Sequence, residues 1–191
     1  MNSIVKSVSG FFLDLIETAV IGLSFFLIIY LFFMQPHQVN GSSMVPTFAS
    51  GDYVFTDKIS YRTGEPQRGD VIVFHAPPEA GCPTGTGCDF IKRIIALPGD
   101  KVAVHDKSVY VNGKKLNESY LPSDFETIEG KFISGRTVTI GPNEYFALGD
   151  NRSHSSDSRV WGPVDKSEIV GKAFFRYWPM SQVGKIERIT Y

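Results

Sequence analysis

The sequence predicts a mainly β protein, antiparallel sheets folded on one another, preceded by one N-terminal transmembrane helix. Short runs rich in Val, Ile and Thr alternate with Gly- and Pro-bearing turns through most of the chain. No long helical period follows the N-terminal segment. That segment, Ala19 to Met34 (AVIGLSFFLIIYLFFM), is almost wholly apolar, and Thr18 to Gln35 carries no charge. The chain has 191 residues, enough for one main domain and a sizeable core. Its net charge is −1 and its basic residues form no run, so no nucleic-acid partner is expected. Fifteen Phe and eight Tyr add to the β leaning.

Extended back through Phe11, Phe12 and Leu13, the apolar run reaches the ~20 residues that cross a bilayer. Asp14 and Glu17 place its first turns at headgroup level. A cleaved signal peptide is the alternative. Lys6 is the only positive charge before the run, and Gln35-Pro36-His37-Gln38 has no small-x-small pattern, so an uncleaved anchor is the better reading. Lys6 is opposed by Asp14 and Glu17, so charge does not orient the segment.

Strands are then expected over 52–58, 70–75 and 90–97, the last stopped by Pro98-Gly99. Ala76 to Asp89 is a loop containing Cys82 and Cys88. Their spacing suits a disulfide outside the cytoplasm, with two free thiols as the alternative; a zinc site would need more ligands at closer spacing. Runs at 101–104 and 108–111 flank His105-Asp106-Lys107, and Asn112-Gly113 is the strongest hairpin signal, leading into Lys114-Lys115-Leu116. Asn117 to Gly135 reads as a surface excursion. Strands resume over 136–140 and 144–148 around Gly141-Pro142-Asn143, and a polar loop covers Gly149 to Gly162. A helical turn over 165–169 precedes a last strand over 170–178. Phe174, Phe175, Tyr177 and Trp178 on that strand are read as core, with a membrane-touching patch as the alternative.

The chemistry begins at Ser43. A serine beside glycines is common in turns, but here Gly41 and Ser42 permit a tight bend, Pro46 stiffens its exit, and the site lies just beyond the apolar segment. Backbone N–H groups in such a bend can face a developing oxyanion. Lys92 stands in the middle of an apolar strand, on the face shared by Phe90, Ile94 and Ala96. A lysine that snorkels to water is the plain reading of that spacing. Acting as a base instead requires its pKa to fall from ~10.4 to near ~8, roughly 3 kcal/mol of desolvation. Arg93 points to the opposite face, with Ile91, Ile95 and Leu97, as an ion-pair partner. In the polar loop, Asp150, Arg152, Asp157 and Arg159 are expected to form two acid–base pairs, and a serine hydroxyl there can hold a neutral lysine amine.

With these residues in view the chain resembles the bacterial type I signal peptidases, membrane-anchored serine–lysine endopeptidases. The likeness runs essentially end to end after the anchor. It covers Gly-x-Ser-Met-x-Pro-Thr (Gly41 to Thr47), Gly-Asp-Tyr-Val (Gly51 to Val54) with Lys58 and Tyr61, Arg-Gly-Asp-Val-Ile-Val-Phe (Arg68 to Phe74), Ile-Lys-Arg with Leu-Pro-Gly-Asp (Ile91 to Asp100), and Gly-Asp-Asn-Arg-x-x-Ser-x-Asp-Ser-Arg-x-Trp-Gly (Gly149 to Gly162).

The resemblance implies two antiparallel sheets of coiled strands behind one transmembrane helix. It divides the chain into a cytoplasmic N-terminus (1–10), a transmembrane helix (11–34) and an extracytoplasmic catalytic domain (35–191), single-pass in the cytoplasmic membrane with the N-terminus inside. It makes Ser43, rather than Ser42, the nucleophile and Lys92 the general base. Ser155 would orient the lysine amine, with Asp150, Arg152, Asp157 and Arg159 supporting that loop. Val39, Met44, Phe48, Phe90 and Ile91 would line the substrate site, where an extended peptide adds as a strand between the backbones near Val39 and Phe90, with shallow pockets at P1 and P3. The implied partners are preprotein signal peptides ending in Ala-x-Ala-like motifs and the lipid bilayer, with no cofactor and no metal. Where Gly41 stands, some members carry a serine hydroxyl as a second oxyanion donor; here backbone donors, chiefly the Ser43 N–H, remain. A self-cleaving SOS-type repressor would need a DNA-binding module in place of the anchor. A peptide-binding domain without catalysis is disfavoured by the presence of Ser43, Lys92 and Ser155 together. His37, His75, His105 and His154 sit in no triad motif.

Overall fold

A long helix runs straight into the edge of a β-sheet. This computed structural model describes residues 2–82 and 88–191. The helix, α1, spans Asn2–Phe32, and its stretch Val8–Phe32 is 25 residues long. At ~1.5 Å per residue that is about 38 Å, enough by length and composition to cross a ~30 Å hydrocarbon core. None of its apolar window packs against the rest of the protein. The hydroxyls of Thr18 and Ser24 bond back to the carbonyls of Asp14 and Val20, the local solution for a hydroxyl on an apolar helix. The helix differs from the expected 11–34 at both ends, because Met34 is already in register with Asp57 on a neighbouring strand.

The strands are β1 (Met34–Gln38), β2 (Tyr53–Asp57), β3 (Val71–His75), β4 (Asp89–Ala96), β5 (Lys101–His105), β6 (Ser108–Val111), β7 (Lys114–Lys115), β8 (Val138–Thr139), β9 (Glu144–Leu148), β10 (Val164–Asp165), β11 (Ile169–Trp178) and β12 (Gly184–Lys185). Short helices α2 (Ser60–Thr63) and α3 (Ser158–Trp161) interrupt them. The pairs form a large sheet in the order β1-β2-β11-β3-β4-β9-β10, with β12 on β11, and a small sheet in the order β7-β6-β5-β8. Every pairing is antiparallel. The fold is mainly β with two antiparallel sheets behind an apolar N-terminal helix, as the strand pattern implied. At Asn112 and Gly113 both φ angles are positive, the geometry an Asn-Gly hairpin turn needs.

The large sheet curls. Its pairings shift register at Ala173/Phe175 and Arg176/Trp178 against β2, at Ile169/Gly171 against β3, and at Ile94/Ala96 between β4 and β9. Such irregularities bend a strand and increase its twist. As a result β1 and β4, which β2, β11 and β3 separate in the sheet, come to face one another across a groove. Beneath them Val39, Met44, Phe48, Val54, Val71 and Ala173 form one core cluster. Ile72, Phe74, Ile94, Tyr145, Ala147 and Val164 form another. Ile95, Ala96, Phe146 and Leu148 close a third against the small sheet.

Four readings change. The edge strand β1 carried no strand signal, because Pro36 and His37 break the β-branched pattern; its pairing with β2 makes it. The strand expected over 136–140 shrinks to β8, since Arg136 sits in a turn, its amide bonding Ile133 O and its guanidinium folded back on Phe132 O. The expected alternation of β4 fails at its end, where the register shift turns Ile95 and Ala96 into one cluster. The core reading of Phe174, Phe175, Tyr177 and Trp178 is also corrected. Trp178 is 51% exposed, and Tyr177 lies half-buried on the sheet's outer face, stacked on Phe55 at 4.3 Å. The disulfide reading of Cys82 and Cys88 holds: they are bonded, with Cα atoms 6.2 Å apart. Pro83 to Gly87, between them, lie outside the described residues.

Candidate active site

Ser43 lies in the turn that follows β1, half-buried at the groove wall. The carbonyls of Ser42 and Ser43 are held from across the groove, by Asn151 Nδ2 at 3.1 Å and the Asn151 amide at 3.0 Å. Behind the turn Met44 and Phe48 are fully buried, so their side chains anchor it to the core.

Lys92 approaches from β4 and is only 4% exposed. Its Nζ lies 2.8 Å from Ser43 Oγ and 2.9 Å from the Ile91 carbonyl oxygen, and 5.0 Å from the centre of the Phe90 ring. Burial among these groups brings its pKa down to about 8, against the partial opposing pull of the Asp157 and Asp150 carboxylates. Those carboxylates act weakly because each has its own guanidinium. Arg93 grips Asp150 through Nε at 2.9 Å and Nη2 at 2.7 Å, fully out of water. Arg159 grips Asp157 through Nε at 2.8 Å and Nη2 at 2.8 Å.

The loop over Gly149 to Gly162 is therefore a buried polar network. Asp157 also caps α3 and accepts from the Gly149 amide at 3.1 Å. Arg159 reaches the Arg152 carbonyl at 2.7 Å, and Arg152 reaches the Gly149 carbonyl at 3.1 Å. Of the two acid–base pairs expected within this loop, one forms, Asp157 with Arg159, and the other does not. Arg152 pairs instead with Glu118 and bonds Thr127 and Tyr120, residues of the excursion that the sequence showed only as irregular. Thr47 adds a 2.5 Å bond to Asp150 and so ties the serine turn to the same carboxylate.

Ser155 is the main disagreement. The expected bond to the Lys92 amine is not formed; Ser155 Oγ is buried with no hydrogen-bond partner in the structure. Ser155 packs against Gly149, where an added Cβ would lie 2.2 Å from Ser155 Oγ and 2.5 Å from the Ser43 carbonyl oxygen. Gly149→Ala should thus displace the Ser43 turn although it removes no functional group. Turnover at this site is expected to fall at least about tenfold with a loss of about 1–3 kcal/mol in stability. Steady-state kinetics beside a thermal melt check this, and unchanged values of both would refute the close packing.

The groove beside Ser43 and Lys92 has a volume of about 190 Å³. Of the five residues expected to line a substrate site, Val39, Phe90 and Ile91 do line it. Met44 and Phe48 do not; they form the packing behind its wall. The structure adds His37, Asp89 and Ser156 to the lining. No motif marked His37 and Asp89, because they meet only when β1 and β4 face each other, and Ser156 is a variable position of the Gly149 to Gly162 motif. Among the described residues no cluster of His, Cys, Asp and Glu is arranged to hold a metal ion.

The antiparallel β domain carries a groove with a serine and a buried lysine at its wall, and residues 12–178 match the family described as signal peptidase, peptidase S26. The chain belongs to the signal peptidase family, and it is a peptidase that removes signal peptides. It is 38% identical over 163 residues to signal peptidase IB of Staphylococcus aureus, covering 79% of this chain and 81% of that protein. It is 36% identical over 192 residues to a probable signal peptidase I-1 of Synechocystis sp., covering 100% of this chain and 94% of that one. A solved signal peptidase I of Enterococcus faecalis V583 is 30% identical, at a TM-score of 0.44 over 56% of this chain and 96% of the other.

Proposed function

We propose that this protein is a membrane-anchored endopeptidase that cuts preproteins after small-x-small (Ala-x-Ala-like) motifs, with Ser43 as nucleophile and Lys92 as general base. The observation that carries this is a desolvated lysine, of pKa about 8, whose Nζ lies 2.8 Å from a serine hydroxyl at the wall of a groove. In its neutral form the amine accepts the Ser43 proton while Oγ attacks the substrate carbonyl. The Ser43 N–H is the donor for the oxyanion. The lysinium then protonates the departing amine, leaving an ester on Ser43. Lys92, neutral again, takes a proton from water, which hydrolyses the ester and restores the hydroxyl.

Ser155 is the orienting hydroxyl of the amine in this reading, and its buried, unpartnered Oγ, free to take a partner, favours that role. Asp150, Arg152, Asp157 and Arg159 hold the loop. The extended substrate lies between the Val39 and Phe90 backbones, with Val39, Phe90 and Ile91 shaping small pockets. Helix α1 is the anchor in the cytoplasmic membrane, with the N-terminus inside and the domain outside, the side where the Cys82–Cys88 disulfide persists. Because α1 continues into β1, and β1 into the Ser43 turn, the reacting hydroxyl is held at a set distance from the bilayer.

The test is cleavage of a preprotein whose signal ends in Ala-x-Ala by the full-length protein in detergent, wild type against Ser43→Ala. Wild type should cut after that motif and the variant should not. The base must be neutral to act, so kcat/KM should climb with pH through about 8 and level off above it. A variant with normal turnover, or a rate that falls as pH rises from 7 to about 9, would reject the assignment.

A further inference from the structure

The groove has a second end, and its chemistry differs from that of the first. His37 on β1 and Asp89 at the start of β4 face each other there, Nε2 to Oδ2 at 3.4 Å, from opposite walls. That is ion-pair distance, yet His37 Nε2 is buried without a formed hydrogen bond, so the contact is loose and both groups retain bonding capacity toward a third. Their outer sides are fixed. His37 Nδ1 lies 3.0 Å from Thr56 Oγ1 on β2, and Asp89 Oδ1 lies 2.7 Å from His75 Nδ1 on β3. Lys58, at the end of β2, is turned away to the Gln35 side chain at 3.2 Å. Among the described residues Asp89 is therefore the acidic group lining this groove, its side chain 30% accessible, and the ionisable partners against it are the imidazoles of His37 and His75.

We propose that Asp89, backed by His37, reads substrate charge at the upstream end of the groove, disfavouring an acidic side chain and favouring a basic one about four or five residues before the cleaved bond. The inference rests on the reading of Ser43 and Lys92 as the reacting pair. With the residue before the cleaved bond beside Lys92, a peptide strand in step with β4 advances ~3.3 Å per residue. Asp89 stands three positions back along β4, beside the fourth upstream residue, or the fifth if the peptide is staggered. Burial lowers the pKa of His37, against the partial opposing pull of Asp89, so near neutral pH the imidazole does not cancel the carboxylate charge. An acidic substrate side chain would meet that charge in a groove only partly open to water, where Coulomb interactions exceed their strength in bulk.

The test uses full-length protein in detergent and peptides ending in Ala-x-Ala that differ only by Lys or Glu at the fourth or the fifth upstream residue. The readout is the Lys-to-Glu ratio of kcat/KM. For wild type it should be about three- to tenfold at one of the two positions and shrink in high salt, as a partly exposed charge contact does. Asp89→Asn should bring the ratio near one, and Asp89→Lys should invert it. Because a ratio is compared within each variant, loss of folded enzyme cancels. A wild-type ratio of one, or a ratio that survives Asp89→Asn, overturns the charge reading while the peptidase reading stands. Failure of wild type to cut any of the peptides overturns the reading on which it rests.

Discussion

Lys92→Met is expected to abolish cleavage and at the same time to stabilise the fold. Losing the base should lower kcat by roughly 10⁴-fold or more, as removal of one member of a nucleophile–base pair does. The stability gain follows from the pKa. The lysine sits at about 8 when folded against an ordinary value of 10.5. Between those values the unfolded chain binds more protons, so stability rises with pH through that window, and below about pH 8 the burial penalty is fully present. A shift of this size corresponds to about 3 kcal/mol, reduced in the variant by the lost contacts to Ser43 and Ile91. Methionine fills the same space without charge, so at pH 7 the melting temperature should rise by several degrees. Thermal melts and preprotein cleavage on the same sample decide it. Turnover near wild type, or a lower melting temperature, would contradict the picture of a desolvated base.

Asp150→Ala should cost about 3–5 kcal/mol, because it leaves the Arg93 guanidinium buried without its partner. Among the described residues Arg93 would keep the Gly69 carbonyl at 3.0 Å, a 3.4 Å contact to Thr47 and the face of the Tyr120 ring at 4.8 Å, none of them an anion. Replacing both Arg93 and Asp150 with Leu should recover much of the loss in stability. Activity should stay low in the double variant, since Thr47 and the serine turn lose their tie to β4 and the Asp150 loop. Urea unfolding of Arg93→Leu, Asp150→Leu and the double Leu variant measures the coupling. An Asp150→Ala variant within about 1 kcal/mol of wild type would remove this pair from any structural role.

Several inferences that needed only neighbours along the chain agree with the structure. Lys92 shares its face of β4 with Phe90 and Ile94, and the Phe90 ring is indeed what its amine meets. Asn112-Gly113 turns as the dipeptide requires. The failures share a different property. Two acid–base pairs among Asp150, Arg152, Asp157 and Arg159 are what closeness in sequence suggests, and Asp150 and Arg152 do not follow it. Both instead chose partners far away, Arg93 and Glu118, because β4 and the 117–127 excursion converge on that loop. Met44 and Phe48 were placed at the substrate surface, but the turn rotates them inward, where their area is worth more out of water.

The sequence by itself determined the β class, the apolar helix, and the presence of a serine and a strand-borne lysine, since these depend on periodicity, composition and residues a few positions apart. Only the tertiary structure decided that Ser43 and Lys92 meet at 2.8 Å, which arginine holds which carboxylate, that Ser155 stands unpartnered, and that His37 confronts Asp89. The Ser43–Lys92 and His37–Asp89 contacts join segments brought together by the curl of the large sheet. That curl arises from register shifts between strands, which are properties of pairs of strands and are written in neither one alone.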